Sequence, residues 1–177
     1  MAPEIVVYPD RRLKTPCTPI MEIGPDVLAL AASLEEVARA YPRTVGVAAP
    51  QIGALVRMVF VDCAGHKQVP STRSPRILID PVVTAREGSE IGREGCLSLP
   101  EITANVRRAM RIEVVARDLS GRELRFETDG FEARVVLHEL DHLDGVLILD
   151  RVASAGDIFP RKVRARSPEV SGSDGYT

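Results

Sequence analysis

Long hydrophobic runs are missing from this 177-residue chain. The longest, Val27–Leu34, is broken by Ser33 and flanked by acids. It falls far short of the roughly 20 apolar residues that a membrane-spanning helix needs. An excess of one charge sign is also missing. A net charge of −2 leaves nothing to attract nucleic acid or a membrane surface. Cysteine is scarce: Cys17, Cys63 and Cys96 are odd in number and widely spaced. That pattern fits a reducing compartment better than a disulfide framework. The start, MAPEIVVYPDRR, lacks the basic-then-apolar layout of a secretory signal and runs straight into a strand-like segment. Repeats and low-complexity inserts are absent. These features give the expectation of a cytoplasmic protein without membrane or nucleic-acid partners.

What is present suffices for a real core. Hydrophobic residues make up 45% of the chain and charged residues 27%, an ordinary globular balance. Residues 1–160 read as one domain, and 161–177 as a polar tail expected to be disordered. Ile5–Tyr8 reads as a short strand ended by Pro9. A packing helix is expected at Pro25–Tyr41: Pro25 suits its first turn, Leu28, Ala31, Ala32, Leu34 and Ala38 recur at helical spacing, and Pro42 stops it. TVGVAAPQIG, residues 44–53, reads as irregular. Arg57–Asp62 reads as a strand and Cys63–Pro75 as a loop. Arg76–Thr84 reads as a strand that Pro81 confines to an edge or a bulge. Met110–Asp118 and Arg122–Thr128 read as a hairpin around Leu119–Gly121. Strands dominate the middle and two helices bracket them. This order predicts an α+β fold, with antiparallel sheets packed around a helix in the C-terminal half.

That second helix carries the chemistry. It contains VVLHELDHLDG, residues 135–145, with Asp129 and Glu132 placed as a capping box and Gly145 as its stop. Phe131, Val135, His138 and His142 fall on one stripe, so an apolar face runs directly into two imidazoles. Residues four apart on a helix have Cβ atoms roughly 5–6 Å apart, close enough for both rings to share one metal ion. Glu139 lies about 100° around from His138 and about 60° from His142. It is too far around to be the natural third ligand, yet near enough to reach a water beside the ion. This is the logic of an H-E-x-x-H metallohydrolase. Asp141 points to another face.

Two histidines leave a catalytic metal short of a ligand. The third can come from a cysteine, from His66 or from an acid. Cys96 stands out within REGCLSLP, residues 93–100, where Gly95 allows close backbone approach. A thiolate with two imidazoles suits zinc or ferrous iron and not calcium or magnesium. The competing reading of Cys96 is a small buried hydrophobe. His66 reads as a loop surface residue.

Three stretches together resemble the peptide deformylase family: Thr44–Gln51 (TVGVAAPQ), Glu94–Ser98 (EGCLS) and His138–His142 (HELDH). With the flanking strands the resemblance covers residues 3–152. It implies that Cys96, His138 and His142 hold one divalent metal, with Fe²⁺ as the native ion and Zn²⁺ or Ni²⁺ as alternatives. It implies Glu139 as general base and acid, and the Gln51 side chain with the Leu97 backbone N–H as oxyanion donors. It implies an extended substrate pairing near Val45, Gly46 and Gly95, with a methionine side chain against Val47, Phe131 and Val135. The implied activity is removal of the formyl group from N-formylmethionyl nascent peptides by a monomer, with the ribosome as a further candidate partner. It also implies a pairing of Arg108 with Glu94. Two positions depart from the pattern. Thr44 replaces a glycine, and Leu137 replaces a glutamine. Two rival readings are a zinc endopeptidase and an inactive metal-stabilised binding module. The first wants a third ligand beyond the helix, where no histidine follows His142. The second leaves Glu139 and Gln51 without a purpose.

Overall fold

The computed structural model describes residues 3–41, 43–67, 69 and 75–161. Pro42, parts of the Cys63–Pro75 loop and the tail from residue 162 onward lie outside the described residues. Helix α1 is Pro25–Ala40 and helix α2 is Gly130–Leu143. The strands are β1 (Gly46–Ala48), β2 (Met58–Val61), β3 (Arg76–Glu87), β4 (Glu90–Cys96), β5 (Leu99–Arg108), β6 (Arg111–Arg117), β7 (Glu123–Asp129) and β8 (Ile158–Pro160). One sheet runs β1-β2-β3-β6-β7 and a second runs β4-β5-β8, and all these pairings are antiparallel. The expected α+β architecture is the observed one.

Alternation along the strands places the helices. Successive strand side chains point to opposite faces. In β2, Met58 and Phe60 join Ala31, Leu34 and Val37 of α1 in one core. Val59 and Val61 join Val136, Leu140 and Leu143 of α2 in another. The sheet is thus covered on both sides at this end, which is why every residue of β2 is buried. A third core lies under the second sheet, where Leu13, Leu99, Val106 and Ile148 meet.

Several local expectations change. Ile5–Tyr8 forms no ladder, and Tyr8 already lies in a turn; the segment is held by single bonds from Val6 N–H to the Gln51 carbonyl (2.8 Å) and from Tyr8 N–H to the Ser98 carbonyl (3.0 Å). Residues 44–53 are not wholly irregular, because β1 and a 3-10 turn at Ala49–Ile52 lie within them. In α1, Leu28 and Ala32 face outward, and Ala31, Leu34 and Val37 form the buried face. Pro81 does sit at a bulge, but β3 pairs with β2 and β6, so it is not an edge. The bulge turns Asp80 toward the Ile20 N–H (3.0 Å) and the Arg117 guanidinium.

At α2, Asp129 is the N-cap residue but its side chain makes no cap bond. Glu132 instead accepts the Thr128 hydroxyl at 2.6 Å. Gly145 ends the turn as expected. Its φ is +70°, and a Cβ there would stand 2.8 Å from the Lys14 backbone. Only glycine meets both conditions.

Candidate metal centre and cleft

Helix α2 lies across the junction of the two sheets. Its stripe presents Phe131, Val135, His138 and Glu139 to an open cleft. The other wall comes from the end of β4. A register shift between Gly95 and Cys96 interrupts the β4–β5 ladder and re-aims the Cys96 side chain toward the helix. Cys96 Sγ stands 3.2 Å from His142 Nε2. Ligand atoms of Cys96, His138 and His142 all lie within 4.8 Å of one another. Among the described residues no other histidine, cysteine or carboxylate group completes such a cluster.

The surroundings fit a cation. His138 Nδ1 is 2.9 Å from Glu94 Oε2, which fixes the tautomer and leaves Nε2 for the ion. Burial opposes ionisation of the Cys96 thiol, but His142 and His138 prevail and hold it well below the ordinary thiol range. The thiolate form is the one that ligates. Glu139 is buried, and its Oε2 has no hydrogen-bond partner among the described residues. Burial pushes the Glu139 carboxyl up to about 7 against the pull of both histidines. An orphaned carboxylate oxygen beside a sulfur and two ring nitrogens leaves room for a dication and a water.

Glu94 is the buried support. Its two oxygens accept Arg108 Nε at 2.9 Å and Nη2 at 3.0 Å, and Arg134 Nη1 adds a bond at 3.0 Å. Burial works against its charge, yet the bonds from His138 and Arg108 hold the carboxyl at about 2. Arg108 also donates to Asp141 Oδ2 at 2.5 Å, and Arg151 grips the same carboxylate at 2.6 and 3.0 Å. The pairing of Arg108 with Glu94 is therefore present and buried, and Asp141, on the other face of the helix, supports it.

Gln51 enters from the 3-10 turn after β1. Its Oε1 accepts the Ala48 N–H at 2.9 Å, which leaves Nε2 facing Ser98 Oγ (3.3 Å) and Cys96 Sγ (3.6 Å). Leu97, Val45, Gly46 and Gly95 line the same cleft. Gly46 has no room for a side chain, since a Cβ would stand 2.5 Å from Glu139 Oε1. Val47 is a correction. It is fully buried with Leu34 and Val37 under α1, on the opposite face of β1, and does not line the cleft. The alternation that sends Gly46 and Ala48 toward α2 sends Val47 away. His66 lies in the loop and is half-buried. It stacks on Phe131 with ring centroids 3.9 Å apart. At the two departures, Leu137 is buried in the core beside α2. Thr44 lines the cleft with its hydroxyl oxygen buried and without a partner among the described residues. The positive φ in this loop falls on Arg43 (+67°), not on Thr44.

Sequence reasoning missed Arg134, Arg151, Ser98 and the stacking of His66. Their contacts are long-range, and no spacing rule within one element could have revealed them.

Comparison with known proteins agrees with this geometry. The family model described as polypeptide deformylase matches residues 2–157. A peptide deformylase of Thermodesulfovibrio yellowstonii is 37% identical over 164 residues, covering 92% of this chain and 97% of that protein. The crystal structure of peptide deformylase from Thermotoga maritima superposes with a TM-score of 0.79 at 32% identity, covering 87% of this chain and 99% of that one. A Met-Ala-Ser-bound class I type b peptide deformylase from Acinetobacter baumannii gives a TM-score of 0.80 at 26% identity, over 86% and 99% of the two chains. With the match spanning both sheets and the helix that carries the histidines, the chain belongs to the peptide deformylase family.

Proposed function

We infer that this chain is a metal-dependent hydrolase that removes the formyl group from the N-terminus of formylmethionyl peptides and releases formate. The observation that carries the reading is the meeting of Cys96, His138 and His142 beside the unpartnered carboxylate oxygen of Glu139, inside a cleft. Family membership supports the substrate class.

A divalent ion held by Cys96, His138 and His142 supplies Lewis acidity, which makes water a competent nucleophile near neutral pH. A thiolate with two imidazoles suits ferrous iron or zinc, and the family resemblance points to ferrous iron as the native ion, with zinc or nickel as substitutes. Every other part falls to the protein. Glu139 takes a proton as water attacks the formyl carbon. Gln51 Nε2 and the Leu97 N–H donate to the oxygen that gains charge; one such donor is commonly worth about 2.7–4 kcal/mol. The carbon–nitrogen bond then breaks, Glu139 returns its proton to the amine, and formate departs. Val45, Gly46 and Gly95 offer backbone along both walls to an extended peptide. Phe131 and Val135 receive the methionine side chain.

The H-E-x-x-H endopeptidase reading is weaker here. The third member of the cluster comes from β4, upstream of the helix, and no residue beyond His142 joins it among the described residues.

The test is an assay on formyl-Met-Ala-Ser with formate as readout. Turnover is expected with added Fe²⁺ or Ni²⁺ and is abolished by chelation. An unformylated protein cut at internal bonds, with no formate released, would overturn the reading. Gly46→Ala gives a sharper check. The new methyl group displaces the Glu139 carboxylate, so kcat should fall about a hundredfold while metal content stays unchanged. Unaltered kcat would show that Glu139 does not act where it stands.

A further inference from the structure

The cleft is basic although the chain is not. Its lining includes Arg43, Arg93, Arg134 and Arg161, against a net charge of −2 for the whole molecule. The carboxylates in that lining are Glu94 and Glu139. Both are buried, and Glu94 is already bonded by Arg108, Arg134 and His138. Arg134 is spent on that contact and on the carbonyls of Val106 and Glu90. The other three arginines are exposed and have no carboxylate partner among the described residues. Arg93 lies 3.4 Å over the Phe159 ring and donates to Asn105 and Thr103, so its position is fixed while its charge stays open.

The two remaining arginines stand on opposite walls. Arg43 immediately precedes Thr44 and Val45, on the approach to the β1 edge. Arg161 leans over the β4 wall, with Nη1 3.5 Å from where a Gly95 Cβ would be, and its backbone N–H is anchored to the Glu101 carbonyl at 2.6 Å. These are the walls that offer backbone to an extended peptide under the deformylase reading, on which this inference rests. An extended chain rises about 3.4 Å per residue and turns alternate side chains to opposite sides. The two residues after the methionine therefore pass between the walls that carry Arg43 and Arg161, with their side chains directed alternately to the two sides of the plane they share with those walls.

We propose that Arg43 and Arg161 make this enzyme selective for formylated peptides with aspartate or glutamate in the two positions after methionine. Arginine suits the task, because its fork accepts a carboxylate bidentately and its charge persists at every physiological pH. The selection acts on binding and capture, not on the chemical step. Exposed ion pairs are individually modest, so discrimination arises from summed attraction of an acid and repulsion of a lysine at both arginines.

The experiment compares kcat/KM for five C-terminally amidated peptides: formyl-Met-Ala-Ser, formyl-Met-Asp-Ser, formyl-Met-Ala-Asp and the two lysine counterparts. At low salt the acid-to-lysine ratio should be about tenfold for at least one position, carried by KM. It should shrink to about twofold at 0.5 M salt, where screening acts within ~4 Å. The double variant R43E/R161E should invert the ratio; because the ratio is internal to each protein, a general loss of activity does not move it. A wild-type ratio near one at low salt, or a ratio unchanged in the double variant, would overturn the proposal. If the neutral peptide itself yields no formate, the deformylase reading fails, and this inference with it.

Discussion

Glu139→Gln is expected to lower turnover by at least about a thousandfold while the protein still binds one metal ion per chain. The substitution keeps the shape that packs against Gly46 but removes the group able to accept a proton. General acid–base catalysis is worth about 10²–10⁴, and this site asks one carboxylate to act twice, first taking a proton and then returning it. Burial raises the Glu139 carboxyl to about 7 in the metal-free protein. A dication among its neighbours pulls the other way and keeps it ionised, ready to accept. Elemental analysis separates this outcome from metal loss. Activity within tenfold of wild type would remove Glu139 from the mechanism. The same substitution has an opposite effect on stability without metal. A raised carboxyl pKa favours the fold while the group is protonated and weakens it as pH rises through about 7. Metal-free Glu139→Gln should therefore be more stable than metal-free wild type above pH 7, and the gap should close below the ordinary carboxylate value of 4.5.

How much of this was legible before the fold was seen depends on where polar residues point. Helix α2 was readable because its apolar stripe and its ligands share one period, so Phe131, Val135, His138 and His142 announce the same face. The hairpin of β6 and β7 was readable because Ile112, Val114 and Ala116 take alternate positions among Arg111, Glu113 and Arg117, with Val115 the one apolar residue on the outer face. Strands β4 and β5 were not assigned, and the reason is physical. In β4 the two buried positions hold Glu94 and Cys96. In β5 the inward series Ala104, Val106, Arg108 ends on a guanidinium. Writing the support of the site into core positions breaks the hydrophobic alternation that marks a strand. Val47 was misplaced for a related reason. A strand of three residues shows no period, so its inward and outward faces cannot be told apart from sequence. The candidate site residues were legible in two ways: His138, Glu139 and His142 as residue types at fixed helical spacings, and Cys96 through the resemblance. Of the support around them only the Arg108–Glu94 pair was implied, by the resemblance; Arg134 reaches Glu94 across 40 residues and Arg151 reaches Asp141 from beyond the helix, where no spacing rule applies.

That buried support sets the second large effect. Arg108→Met is expected to cost about 3–5 kcal/mol of stability and about 10–100-fold in metal affinity. Arg108 and Glu94 side chains are each 5% exposed, so removal of the cation leaves a carboxylate in a site chosen for an ion pair. Arg108 is also the link between β4, β5 and α2, through Glu94 on one side and Asp141 on the other. Asp141 keeps Arg151, but that guanidinium is 46% exposed and cannot replace the buried half of the bond network. Glu94 keeps Arg134 and His138, yet loses the bidentate grip that holds its plane. The His138 ring, oriented by Glu94 at 2.9 Å, then loses its fixed angle toward the ion. Acid sensitivity should shift as well. A carboxyl held down at about 2 stabilises the fold above its ordinary value of 4.5, and that contribution disappears as pH falls through about 2. Without Arg108 the Glu94 carboxyl rises toward 4.5, so the variant should lose stability at higher pH than wild type. Urea midpoints at pH 7 and pH 4, with chelator competition for zinc affinity, read both effects. A loss under 1 kcal/mol with unchanged affinity would mean that His138 is positioned by helix α2 alone.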